Sequence, residues 1–434
     1  MEWPEDDFVR LLSALVGEAE SVQNFPPQHV PRESNVVRHL LAELAPHSTE
    51  RGGPLEVREV AFAEGRSNLV VRYPSQRADA QSVSLVGMHL DVVPADASTW
   101  TRAPFRLTRE GDELFGRGTT DCLGHVALVT LFLRRLAEAR PPLRHHVVAV
   151  FIASEENDSI KGVGIDGLMK AGVLDDLRRG SALWVDASDS QPCMGTAGAV
   201  PWRLTAHGKR AHSGFPHNTV NSVELASAAV RRVQRAFYAK FPPHPLEAVY
   251  KFATPSTLKP TQCASAAGSI NQIPPTCSVS GDIRLTPFYD VDDAVREVEQ
   301  AVAELNRDLG ALEDRAELGP VSRFAGVPGV AARVELEWLS SDPHVMEGIA
   351  CDLDSPSYHA FTAAVERVCG AGSCRPFSVN GSLPLVRQMQ RAGFDIVVTG
   401  FGLSTRYHAD DESCLLSGMR NGFNIVREWV AALA

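Results

Sequence analysis

Val83-Ser84-Leu85-Val86-Gly87-Met88-His89-Leu90-Asp91 opens as an apolar run and ends on a histidine and an aspartate two residues apart. A short apolar run of this kind reads as a buried strand, here 83–86. Residues 126–136 follow with Val126, Val129, Leu133 and Leu136 spaced for one helical face. Further strands are expected at 147–152 and 182–185. Strands alternating with helical patterns predict an α/β domain with a mainly parallel sheet.

The texture changes after Gly198. Trp202, Leu204 and Ala206 alternate with polar neighbours, as in a strand with one wet face. Leu225, Ala229, Val233 and Phe237 lie four apart and predict a long helix. Val279, Ile283 and Leu285 mark another strand, and Val334, Leu336 and Trp338 one more. Strands with one wet face and helices on the other suggest an inserted α+β domain. The expected division is 1–199 and 346–434 for the α/β domain and 200–345 for the insert. The stretch 306–330 receives no assignment, and a final helix is expected around 415–432.

The 434 residues exceed one ordinary domain and suit two. A core of this size needs no metal to fold, so a metal motif here points to chemistry. The net charge of −11, with no run of lysine and arginine, argues against nucleic acid as a partner. Eight cysteines without a CxxC pair read as reduced thiols. The acidic stretch 1–17 lacks the pattern of a signal peptide, and no apolar run is long enough to span a membrane. A cytoplasmic protein is expected.

The chemistry-bearing residues fall where strand patterns end. His89 and Asp91 follow 83–86, and Glu155-Glu156 follows 147–152. Asp186 ends 182–185, Asp121 opens the 126–136 helix, and His408 precedes the last helix. In open parallel sheets, ligand sites gather beyond the carboxyl ends of the strands. Two histidines with three carboxylates form a nitrogen and oxygen donor set suited to zinc or a related divalent ion. A carboxylate can bridge a metal pair, and a nearby carboxylate can pass protons.

His89-Leu90-Asp91-Val92-Val93-Pro94, Trp100, Pro104-Phe105, Gly116-Arg117-Gly118, Asp121, Glu155-Glu156, Asp186 and Tyr407-His408 occur in this order. The set resembles the signature of the aminoacylase and glutamate carboxypeptidase family of co-catalytic zinc enzymes. Gly116 to Gly124, Asp189 to Cys193, Phe241 to Pro245, and Ile270-Asn271-Gln272-Ile273-Pro274 with Gly281 to Thr286 narrow it. They resemble the plant-type acetylornithine deacetylase branch. The resemblance spans nearly the whole chain.

It implies two divalent ions, zinc first, with cobalt or manganese as alternatives. His89 and Asp186 would hold one ion, Glu156 and His408 the other, and Asp121 would bridge them. Asp91 would orient His89, and Glu155 would be the general base. His212 resembles a donor to the oxyanion, supplied from the partner subunit in dimeric relatives; a surface histidine is the alternative. Asn271 and Arg284 resemble contacts to a substrate α-carboxylate. Gly381 either brings backbone close to the substrate or sits in a plain turn.

Three departures stand out. Cys122 follows the bridging aspartate, as a small buried group or a further ligand. Asp186 replaces a glutamate. The stretch Asn380-Gly381-Ser382-Leu383-Pro384 lacks an acid and an arginine found in many relatives. The expected activity is deacetylation of an N-acetyl amino acid, N2-acetylornithine first, by a homodimer joined through the insert. Alternatives are another N-acyl amino acid hydrolase, a dipeptidase, or a non-catalytic binding protein on the same fold.

Overall fold

The computed structural model describes residues 1–157, 160–340, 342–344 and 346–434. The chain divides into two units: 1–194 with 351–377 and 388–434, and 195–350 with 378–387.

The first unit is built on a sheet with strand order Glu56–Ala63, Arg66–Tyr73, His146–Ile152, Ser82–His89, Ser181–Val185, Asp395–Thr399. The last four run parallel, as the buried apolar runs predict. The first two form an antiparallel hairpin at the edge. All eight residues of Ser82–His89 are buried. Its pairing with His146–Ile152 is irregular between Leu85 and Met88, and Gly87 sits within that irregularity at φ +92°. A Cβ on Gly87 would meet the Trp184 ring at 2.6 Å, so only glycine fits. A bulge re-aims the residues beyond it. Here those residues are Met88, opposite Phe151, and His89, opposite Ile152 at the strand end.

The helix Leu123–Ala139 is buried on nearly all sides, more widely than the single face read from its spacing. Glu5–Glu18, Ser34–Leu44 and Leu416–Leu433 all pack against it. A helix that is apolar all round belongs inside a core. Phe8, Phe132, Phe423 and Trp429 fill the space between these helices. Each such side chain contributes about 1.5–3 kcal/mol on burial.

The second unit holds an antiparallel sheet ordered Thr257–Ser265, Thr276–Leu285, Gly198–His207, Arg333–Trp338. Burial alternates residue by residue along its two central strands. The helices Ser222–Lys240 and Val291–Arg307 cover the apolar face. Asn221 caps the first, and Asp290 caps the second through the N–H groups of Asp292 and Asp293. The stretch 306–330 contains short turns, Leu309–Leu312 and Arg315–Leu318, and buries Phe324. Residues 378–387 belong with this unit, whereas the pattern reading kept them in the flanking segment. Ser378 Oγ donates to the Tyr250 carbonyl, Asn380 Nδ2 to the Thr254 carbonyl, and Arg284 Nη1 to the Asn380 carbonyl. Among the described residues, no helix is long and apolar enough to cross a membrane.

Candidate metal centre

Within the first unit, the parallel strands deliver the cluster. His89 ends Ser82–His89, Glu155 and Glu156 follow His146–Ile152, and Asp186 follows Ser181–Val185. His408 lies beyond Asp395–Thr399, and Asp121 stands two residues before the helix Leu123–Ala139. His89 Nε2 is 2.9 Å from Asp121 Oδ1 and 3.6 Å from Asp186 Oδ1. His408 Nε2 is 3.2 Å from Asp121 Oδ2 and 3.1 Å from Glu156 Oε2. Asp121 thus turns one oxygen to each histidine, and each histidine faces a second carboxylate of its own.

The His89 tautomer follows from its other nitrogen. Nδ1 lies 2.8 Å from the Asp91 backbone carbonyl, which can only accept, so Nδ1 carries the proton. The Nε2 lone pair is then turned toward the carboxylates, the form a histidine ligand needs. The Asp91 carboxylate has a wider task than orienting His89. Its Oδ1 is 3.5 Å from His89 Nδ1. It also accepts the backbone N–H of Glu155 at 3.0 Å and of Glu156 at 3.0 Å, and Asn24 Nδ2 at 2.7 Å. One buried aspartate therefore fixes a histidine and the Glu155-Glu156 backbone together. Replacing Asp91 by asparagine is expected to weaken zinc affinity about 10–100-fold, as losses in the shell behind metal ligands do. Competition with a chromophoric chelator measures this, and parent-like affinity would remove Asp91 from that role.

The electrostatics describe a site built for cations. Asp121 stays well below the usual carboxylate range: burial opposes its charge, but the His408 and His89 contacts prevail. Burial, then the charge of Asp121, pushes Glu156 up to about 7. Asp186 is raised to about 6, by burial first. Hydrogen bonds to Asp121 and Glu156 raise His408 to about 10. Glu155 is pushed well up by burial and by the charges of Asp186, Glu156 and Asp121. So many carboxylates cannot all ionise side by side without a compensating positive charge. Glu156 Oε1 is buried and meets no partner among the described residues. Ligand atoms of His89, Asp121 and Glu156 lie within 4.8 Å of one another. These residues fit a divalent metal pair.

Cys122 is fully buried and its Sγ lies 3.6 Å from the Val185 carbonyl. Burial pushes the thiol up, and its Sγ also lies within 4.8 Å of ligand atoms of His89 and Asp186, a grouping that could hold a metal ion. Two supporting residues had no legible signal. Asn24 is one. Glu412 is the other: it accepts the N–H groups of Gly118, Thr120 and Asp121 and pairs with Arg117 at 2.8 Å. It lies in the run Asp410-Asp411-Glu412, which resembles any solvated acidic loop.

The remaining candidates lie in the second unit. His212 is exposed, pairs with Gln272 across a two-residue ribbon, and accepts the Gly214 N–H on Nδ1 at 3.0 Å. Asn271 stands beside it, its carbonyl accepting the Ser213 N–H. Arg284 Nε bonds Asp282 at 2.7 Å, and its Nη1 reaches the Asn380 carbonyl. Gly381 accepts the Ala197 N–H at 2.9 Å. A Cβ on Gly381 would make only an ordinary 3.8 Å contact with Val379, so packing within the unit does not demand glycine there.

Two histidines and a shared carboxylate turned to one point at the ends of parallel strands make a site of the metal-hydrolase kind, able to hold cations that polarise a carbonyl and activate water. The chain is a member of peptidase family M20/M25/M40, whose profile matches residues 85–432. It is 49% identical over 422 residues to the acetylornithine deacetylase of Arabidopsis thaliana, covering 97% of this chain and 94% of that one. It is 45% identical to the acetylornithine deacetylase of Dictyostelium discoideum, covering 100% and 98%. Among solved structures it shares its fold with the Bacillus subtilis YXEP protein, described as a dinuclear metal binding peptidase. That likeness has a TM-score of 0.61 at 14% identity and covers 99% of each chain.

Proposed function

We propose that this protein is a two-zinc deacetylase that hydrolyses N2-acetylornithine to ornithine and acetate, a step of arginine biosynthesis. The observation that carries the reading is Asp121, one oxygen on each of two histidines, with the Glu155-Glu156 backbone held on Asp91 behind His89. His89 and Asp186 would hold one cation, Glu156 and His408 the other, and Asp121 both. Two bound cations supply Lewis acidity, polarising an acyl carbonyl and making water acidic enough to ionise near neutral pH. Positive charge among the carboxylates would offset the burial and like charges that push Glu155 up and bring its carboxylate into working range. Glu155 then takes the proton from the attacking water and delivers it to the leaving amine. Asp91 and Asn24 keep the backbone of Glu155 and Glu156 in place. The roles of His212 as oxyanion donor and of Asn271, Arg284 and Gly381 as substrate contacts rest on the family resemblance. So does the homodimer through the second unit; a cytoplasmic location rests instead on eight scattered cysteines without a CxxC pair. A guanidinium offers a planar fork of donors suited to an α-carboxylate.

The test is a panel of N-acetyl amino acids and dipeptides assayed with metal-stripped and zinc-loaded protein. Fastest turnover on N2-acetylornithine, loss on chelation and recovery with zinc are expected; cobalt and manganese loading tests the alternatives. Ligands must shed protons to bind metal, so zinc uptake should tighten as pH rises through the Asp186 and Glu156 range near 6 to 7 and onward toward the His408 range at about 10. Full activity in metal-free protein would refute the mechanism. Preference for a dipeptide would move the substrate assignment and leave the metal centre standing.

A further inference from the structure

Of the five ligand candidates His408 is the exposed one: 58% of its side chain is open, against at most 8% for His89, Asp121, Glu156 and Asp186. Packing therefore does little to hold it, and its aim depends on the chain on either side. After it, Glu412 anchors the chain to the N–H groups of Gly118 and Asp121. Before it, the N–H groups of Phe401, Leu403 and Ser404 each end on a side-chain acceptor. These are His125 Nε2 at 2.7 Å, Thr120 Oγ1 at 3.1 Å and Asp189 Oδ1 at 3.2 Å.

Asp189 differs from the other two. It stands three residues after Asp186 and opens the run Asp189-Ser190-Gln191-Pro192-Cys193, to which the metal chemistry gives no task. Beyond the ends of the paired strands Ser181–Val185 and Asp395–Thr399, the two segments stay knitted. The N–H groups of Asp186 and Ala187 meet the Thr399 carbonyl at 2.8 and 3.0 Å. Those of Ser190 and Asp189 meet the Gly400 and Gly402 carbonyls, both at 2.9 Å. Thr399 Oγ1 donates to the Gln191 carbonyl at 3.1 Å. A Cβ on Gly400 would collide with the Ala187 carbonyl, so the backbones touch there. Asp189 and Ser190 both sit at left-handed φ within this contact, +61° and +57°. That conformation costs energy outside glycine, and aspartate is among the residues that tolerate it best. The Asp189 side chain is exposed, so no core packing explains the strain.

Building on the metal-pair reading above, we propose that Asp189 is a positioning residue, clamping the segment that carries His408 to the segment that carries Asp186. It thereby sets the spacing between a ligand of one ion and a ligand of the other. His125 and Thr120 tie the same loop to the chain around Asp121; Asp189 ties it to Asp186. The Ser404 N–H on its carboxylate is the last of the three tethers before His408 and is charge-assisted. Without it the His408 loop is free to pivot beyond Leu403, while His89, Asp121 and Asp186 keep their own supports.

The experiment titrates zinc into metal-stripped parent, Asp189→Gly and Asp189→Asn in competition with a chromophoric chelator. Glycine removes the carboxylate and is at ease at positive φ, so the metal-free melting temperature should stay near the parent's. Asparagine keeps an oxygen acceptor on the same side-chain frame. In Asp189→Gly we expect one of the two zinc ions to bind about tenfold more weakly, the worth of one hydrogen bond to a charged group, and the other to bind as in the parent. Asp189→Asn should recover most of that loss. Turnover of N2-acetylornithine should fall at limiting zinc and return at saturating zinc, with KM unchanged. A general loosening of the fold would weaken both ions and lower the metal-free melting temperature, and a pure charge effect would strike both variants alike. Parent-like affinity for both ions in Asp189→Gly, equal loss for both, or no difference between the two variants would overturn the clamp. Should the parent itself take up fewer than two zinc ions, the metal-pair reading fails and the clamp falls with it.

Discussion

Glu155→Ala is expected to bind zinc like the parent and to lose about 10²–10⁴-fold in kcat, the contribution of a positioned general base. The separation follows from where Glu155 acts. The Nε2 contacts of the two histidines are to Asp121, Asp186 and Glu156, and Glu155 supplies none of them. Its contribution to the scaffold is its backbone N–H on Asp91, which alanine retains. A structural acid would behave oppositely. A buried carboxyl pushed up by burial and like charges destabilises its surroundings when ionised, so removing it would raise stability and spare turnover. Metal analysis beside steady-state kinetics separates the two. Normal turnover with both ions bound would end the proposed role.

The apolar runs around His89, Glu155 and Asp186 were legible because parallel strands buried on both faces are apolar throughout, and their ends are where polar chemistry can begin. The long helix Ser222–Lys240 was legible for a related reason: Leu225, Ala229, Val233 and Phe237 mark one face. Val291–Arg307 carries a comparable stripe of Val291, Ala294, Val298, Val302 and Leu305, yet it was passed over because acidic residues crowd the intervening positions. Thr257–Ser265 shows no alternation, since seven of its nine residues are exposed at the sheet edge. The hairpin Glu56–Ala63 with Arg66–Tyr73 was missed in the same way, its first strand being nearly all exposed or half-buried.

The cluster was legible as a set of residue types at strand ends, and the chain does bring His89, Asp91, Asp121, Glu155, Glu156, Asp186 and His408 into one unit. What holds them was not legible. Asn24 matters because its Nδ2 donates to the Asp91 carboxylate, and Glu412 because it accepts from particular N–H groups and from Arg117; those partners lie 67 and 291–295 positions away. No local pattern encodes such a pairing. The same holds for residues 378–387, whose place in the second unit depends on carbonyls of Tyr250 and Thr254 more than a hundred residues earlier.

Glu412→Leu is the substitution with the largest expected effect on stability. The parent carboxylate is fully buried and satisfies the N–H groups of Gly118, Thr120 and Asp121 at 2.8–2.9 Å while pairing with buried Arg117. Burial outweighs the pull of Arg117 and leaves the carboxyl above its ordinary range, so the pair itself need not be a large source of stability. Breaking it is another matter. Leucine leaves a guanidinium in the interior with only longer bonds to the Pro94 and Ala409 carbonyls and the Trp100 ring at 5.0 Å. Removing one member of a buried pair costs about 3–5 kcal/mol, and each orphaned N–H adds about 1–3 kcal/mol, less than additively. A marked fall in melting temperature is expected, with weaker zinc binding because the Asp121 N–H loses its acceptor. Glu412→Gln keeps one carbonyl acceptor and should fall between. Adding Arg117→Met to Glu412→Leu removes the stranded charge but not the stranded N–H groups, so it should recover only part of the loss. Parent-like melting and zinc affinity in Glu412→Leu would show that the 116–121 loop holds Asp121 without this carboxylate.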